Sequence, residues 1–140
     1  MAVLVGDVVL LRVLAGSPPA QALRTGIYTT GMWYFRLGQA LRSGPPGGAL
    51  SRRLAELPSD RQLRVLQLID SLPDSIGLIG QRRLVPIIRR LDPEARLNLL
   101  AAEAFAAAHV TGSSVLVATD APLLRQACHG AGITFEILTD

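Results

Sequence analysis

Three carboxylates stand where an α/β chain does chemistry: Asp7, Glu103 and Asp120. Asp7 closely follows the β-branched run Ala2 to Val5. Asp120 ends VLVATD, just past the C-terminal end of a second such run. In open parallel α/β sheets, ligands bind outside the carboxyl ends of the strands. Glu103 sits in the Ala-rich stretch LNLLAAEAFAAAHV. Carboxylates gathered at a sheet edge suit Mg or Mn, hard ions that take oxygen ligands. Such ions activate water and stabilise the charge developing on a scissile phosphate. Without a cation, clustered acids raise one another's pKa. The same residues have a plainer use: Asp7 and Asp120 suit helix caps, and Glu103 suits a solvated helix face.

Other chemistries find less support. All 14 basic residues of the 140-residue chain are Arg, and the net charge is +3. That balance permits RNA or an acidic partner without demanding either. The pairs Arg52-Arg53, Arg82-Arg83 and Arg89-Arg90 suit either a basic rim for phosphates or solvated helix sides. Cys128 is the one cysteine. It excludes an intrachain disulfide, suits a reducing cytoplasm and has no evident base beside it. His109 and His129 read as C-terminal helix residues, and no structural zinc spacing occurs. Gly44 to Gly48 holds two prolines, which lack the N–H donors of a phosphate cradle. The opening apolar run carries Asp7 and Arg12 and is too short to span a bilayer, so no membrane is expected. Trp33-Tyr34-Phe35 gathers three aromatics beside Arg36, for base stacking or for a subunit interface.

Short strands alternating with helices must position these residues. Strands are expected at Ala2 to Val5, Ile27 to Thr30, Ile76 to Ile79, Val115 to Ala118 and Ile133 to Leu138. Helices are expected at Val8 to Leu14, Gly31 to Arg42 and Ala49 to Leu57. Another follows the cap Pro58-Ser59-Asp60, with Leu63, Leu66, Ile69 and Leu72 at helical spacing. Gln81 to Leu91 is helical with a kink or late start at Pro86. Asp92-Pro93-Glu94 signals a helix start running on to Gly112. Gly44 to Gly48 is an exposed loop rather than a linker, since neither half has enough core alone. The reading is one domain over 1–140, a three-layer α/β/α fold around a mainly parallel sheet.

This order resembles the PIN domain, a fold that includes VapC-type toxins of bacterial toxin–antitoxin pairs, which are metal-dependent ribonucleases. The resemblance spans nearly the whole chain. VLVGDVVLLRVL fits the family's opening strand, acid and apolar helix, with Gly6 in the acid position and Asp7 beside it. TTGMWYFRL keeps Thr29 and Thr30 of a Thr-Ser signature and puts Arg36 where a Glu stands. EAFAAA matches the third acidic run with Glu103, whereas Asn98 in NLLAAEA fits less well because it lies too far from Asp120. VLVATD matches the fourth acid with Asp120.

The resemblance implies a hydrolase with Asp7, Glu103 and Asp120 as catalytic acids, and Glu103 and Asp120 holding Mg or Mn. It also implies that Arg36 takes the cation's place, weakening or abolishing catalysis. Thr29, Thr30, Trp33 and Arg36 are then expected to contact RNA or a partner. The expected partners are RNA, an antitoxin-like protein and a second copy in a homodimer, in the cytoplasm. Two alternatives stay open: a nuclease-inactive module binding RNA or protein through the same cleft, and a purely structural dimerisation domain.

Overall fold

A computed structural model describes residues 2–23, 26–42 and 48–139. Five strands form one sheet: β1 (Val3–Val5), β2 (Ile27–Thr29), β3 (Ile76–Leu78), β4 (Ser114–Val117) and β5 (Phe135–Ile137). Their order is β3-β2-β1-β4-β5, and every pairing is parallel. Parallel neighbours need crossovers, and helices supply them. These are α1 (Asp7–Leu14), α2 (Gly31–Ala40), α3 (Gly48–Ala55), α4 (Ser59–Asp70), α5 (Gln81–Arg89), α6 (Leu99–Thr111) and α7 (Pro122–Gly130). The fold is therefore three-layer α/β/α, as its alternating pattern implies.

Side-chain alternation along the strands divides the interior in two. Val3, Val5 and Leu116 face one layer and pack with Val9, Leu10 and Leu14 of α1 and Val65 and Ile69 of α4. Leu4, Val115 and Val117 face the other and pack with Leu84 of α5, the alanines of α6 and Leu124 of α7. A one-residue slip in β1 would turn Leu4 into the wrong layer, so both cores fix its register. Helix α2 joins the layers: Leu37 enters the first core and Trp33 the second. A Cβ at Gly77 would overlap the Tyr28 ring on the neighbouring strand, so any larger residue there would force that ring to move.

Several local expectations are corrected. The helix expected from Asp92 to Gly112 is two elements. Asp92 caps only a short 3₁₀ turn, Pro93–Ala95, and Arg96 then takes a left-handed conformation with φ 56°. Asn98 starts α6 afresh, its side chain accepting from the Ala101 N–H at 2.8 Å. In α4 the inward face is Val65 and Ile69, while Leu63 and Leu66 are exposed. Helix α5 starts at Gln81 with Pro86 inside it, so the late start expected at Pro86 is not seen. The loop expected at Gly44 to Gly48 lies outside the described residues except for Gly48, which opens α3. Among the described residues no helix is long and apolar enough to cross a membrane.

Arginine holds together the C-terminal end of α1. Gly16, with φ 84°, turns the chain there. Arg61 donates to the Ala15 carbonyl at 2.6 Å and to Ser17 Oγ at 2.9 Å, and Arg64 donates to the Leu14 carbonyl at 3.1 Å. Two cations from α4 thus satisfy carbonyls at the negative end of α1, where positive charge is favoured.

Candidate functional site

The chain leaves β1 toward β2 on one side, and β4 pairs on the other. That reversal makes the C-terminal ends of β1 and β4 a topological switch point, the place where open α/β sheets bind ligands. A cleft of about 800 Å³ lies there. Its floor is Gly6 after β1 and Val117, Ala118 and Thr119 at the end of β4. Helix α2 forms one wall with Trp33, Arg36 and Gln39, α3 contributes Leu50 and Ser51, and α6 contributes Asn98 and Ala101. The volume suits a small ligand or a segment of a polymer.

The three acids are not gathered in this cleft. Asp7 reaches it from the first turn of α1, accepts from the Val8 N–H at 2.8 Å and faces Arg36 Nε at 3.6 Å. Asp120 is exposed and engaged by Arg125, at 3.1 Å to Oδ1 and 3.3 Å to Oδ2. Glu103 is not a lining residue. It is 2 % exposed, and both its oxygens accept hydrogen bonds, one from Met32 N at 2.9 Å and one from Gln81 Nε2. The expectation of Glu103 on a solvated helix face is corrected with them. Its carboxylate meets the N-terminus of α2, where backbone donors lack intrahelical partners and negative charge is favoured.

The contact residues also need correction, in part. Thr29 and Thr30 are fully buried and bond within the fold. Thr29 Oγ1 donates to the Val5 carbonyl at 2.8 Å, and Thr30 caps α2 by accepting from Trp33 N at 3.1 Å. Trp33 is 5 % exposed and packs in the second core, so it is no stacking platform. Phe35 is the aromatic that projects, 64 % exposed. Tyr34 packs at the first core, its hydroxyl donating to the Ile69 carbonyl at 2.6 Å. Arg36 lies in the cleft, beside Asp7.

A Mg or Mn ion does not fit these residues. Gly6 offers no ligand, and a Cβ built there would stand 3.3 Å from Val117 Cγ1 and 3.5 Å from Trp33 Cε2. The indole thus packs against the point from which a side chain at position 6 would grow. A guanidinium beside Asp7 opposes a cation by charge. Among the described residues no group of three or more His, Cys, Asp or Glu is placed to hold a metal ion. No metal-dependent step follows from this arrangement, for Asp7, Glu103 and Asp120 together or for Glu103 and Asp120 as a pair.

What the cleft does offer is donors. Arg36 and Arg42 bring guanidinium groups, and Asp7 offsets one of the two charges. Trp33 lines the same wall, almost wholly buried. Sequence reasoning undervalued Asn98 and missed Arg42. Asn98 lines the cleft where Glu103 was expected, and its identity as a cap before an apolar run was the available signal.

Cys128 has no part in this site. It is fully buried in the second core, and burial pushes its thiol up to about 11. Reactivity follows the thiolate. Iodoacetamide at pH 8 should therefore leave the folded protein unmodified for hours and label it rapidly once it is unfolded in urea, as mass spectrometry would show. Equal rates in both states would contradict the burial.

No protein-family model matches this chain, and no curated protein matches it.

Proposed function

We propose that the chain is a PIN-like domain that binds RNA in the cleft at the C-terminal sheet edge and does not cleave it. The observation that carries this reading is the pairing of Arg36 with Asp7 at the cleft, which leaves donors where the resemblance expects acids. Arginine forks match phosphate oxygens, and Arg42 adds a second guanidinium to the lining of the same cleft. The all-arginine basic set and the net charge of +3 agree with a polyanionic partner.

The experiment is fluorescence anisotropy of a labelled single-stranded RNA, with gel analysis of the same samples. Binding is expected to weaken as salt rises, and the RNA to stay intact with Mg or Mn added. Arg36→Gln with Arg42→Gln should lower affinity and reduce the slope of log K against log salt by about 1.4, two contacts at roughly 0.7 each. RNA cut in a Mn-dependent way, or not bound at all, would overturn the reading.

A second reading is favoured by one observation. Leu99 and Leu123, in the first turns of α6 and α7, are exposed next to the lining residues Asn98 and Leu124. An apolar rim of this kind suits a protein segment, such as that of an antitoxin-like partner or a second copy, seated over the cleft.

A further inference from the structure

Helix α5 carries a surface that the cleft does not use. Its sequence with the C-cap residue is QRRLVPIIRR, which contains four arginines and no acid. At 3.6 residues per turn, Arg82, Arg83, Arg89 and Arg90 fall within an arc of about 120°. Leu84, on the opposite side, is fully buried, and Ile87 and Ile88 beside it are half-buried. All four arginines are exposed. The stripe therefore consists of two pairs about 10 Å apart along the helix axis, at roughly 1.5 Å per residue.

Several arginines elsewhere in the fold are engaged within it. Arg61 and Arg64 cap α1, Arg36 pairs with Asp7, and Arg125 pairs with Asp120. The four on α5 make no side-chain hydrogen bond or ion pair among the described residues. A solvated helix side ordinarily mixes signs, as α4 does with Asp60, Arg61, Arg64 and Asp70. The first pair is also badly placed for stability alone. Arg82 and Arg83 lie in the first turn, at the positive end of the helix, with no acid in that turn. A phosphate bound there would relieve both the mutual repulsion and the unfavourable end.

The position relative to the cleft is set by topology. Helix α5 begins just after β3 ends, so Arg82 and Arg83 lie at the same C-terminal sheet edge as the cleft. Gln81, at the head of α5, bonds Glu103, whose other oxygen holds the start of α2. The stripe is thereby fixed to the helix that carries Arg36.

We propose that the outer face of α5 is a second phosphate-backbone contact for single-stranded RNA, separate from the cleft and reading no sequence. This rests on the RNA reading of the cleft. An extended backbone can engage the two pairs in succession, and each engaged guanidinium should release counterion.

The test measures the RNA affinity of the full chain by anisotropy at several salt concentrations. The variants are Arg82→Gln/Arg83→Gln, Arg89→Gln/Arg90→Gln, the quadruple Gln variant and the quadruple Lys variant. Circular dichroism confirms folding, and the two pair variants serve if the quadruple one fails to fold. The quadruple Gln variant should lose roughly 3 from the salt slope, four contacts at about 0.7 each. Each pair should lose about half of that, and the Lys variant should keep the wild-type slope. RNA binding by the wild type with an unchanged slope in all Gln variants would overturn the α5 contact and leave the cleft reading standing. A slope that falls only in Arg36→Gln/Arg42→Gln would do the same. No RNA binding by the wild type would overturn both. Anionic vesicles provide the remaining arm: loss of vesicle binding in the Gln variants with RNA binding unchanged would make the surface lipid-directed and overturn the proposal.

Discussion

Replacing Glu103 with alanine should lower the stability of the fold by about 3–5 kcal/mol, with a fall in Tm of about 10–20 °C. The carboxylate is 2 % exposed and accepts from Met32 N and Gln81 Nε2. Its removal abolishes two charge-assisted hydrogen bonds and leaves both donors without their acceptor. Glu103→Gln should cost less, about 1–2 kcal/mol. The amide oxygen of that variant can still accept from Met32 N, and Gln81 can turn its own amide to present oxygen to the new NH₂. Urea denaturation of the two variants checks the ordering. Equal, near-zero effects would mean that Glu103 is not tied to the start of α2, and would return it to the set of candidate ligands.

Trp33→Ala should destabilise by about 3–5 kcal/mol, the usual cost of deleting a large aromatic from a core. The indole packs with Leu4, Leu84, Val117 and Leu124 and closes over Gly6. Phe35→Ala, two residues on, should change stability by no more than about 0.5 kcal/mol because the ring is largely in solvent. The contrast between neighbours on one helix is the informative quantity. Similar costs at both positions would contradict the placement of α2 across the two cores.

The alternation of strands and helices was legible because each β-branched run is short and each helix carries its own start or stop. Its limits were equally physical. Asp92-Pro93-Glu94 is a sound start signal, and it does start a turn, but Asn98 is a second valid cap a few residues on. Local chemistry cannot rank two such signals. In α4, leucines lie on both faces, and only the sheet beneath decides that Val65 and Ile69 turn inward. The site was harder still. The TTGMWYFRL resemblance points to Arg36 at the cleft, but nothing local to that stretch shows its pairing with Asp7 across two helices. Glu103 owes its position to a backbone N–H 71 residues earlier in the chain, a pairing with no local signature. Asn98 and Glu103 compete for one place in the pattern, and the helix between them, which buries Glu103 and leaves Asn98 at its head, decides the outcome.

The central claim is that RNA occupies the cleft beside Trp33 and leaves it uncut. Trp33 is the chain's single tryptophan, so its emission reports on that wall alone. The decisive measurement is a titration of this emission with single-stranded RNA in the presence of Mn, followed by recovery of the RNA on a denaturing gel. A saturable change in emission at the midpoint found by anisotropy, with the RNA recovered at full length, is the predicted result. RNA binding with unchanged emission, or recovery of shortened RNA, would contradict it.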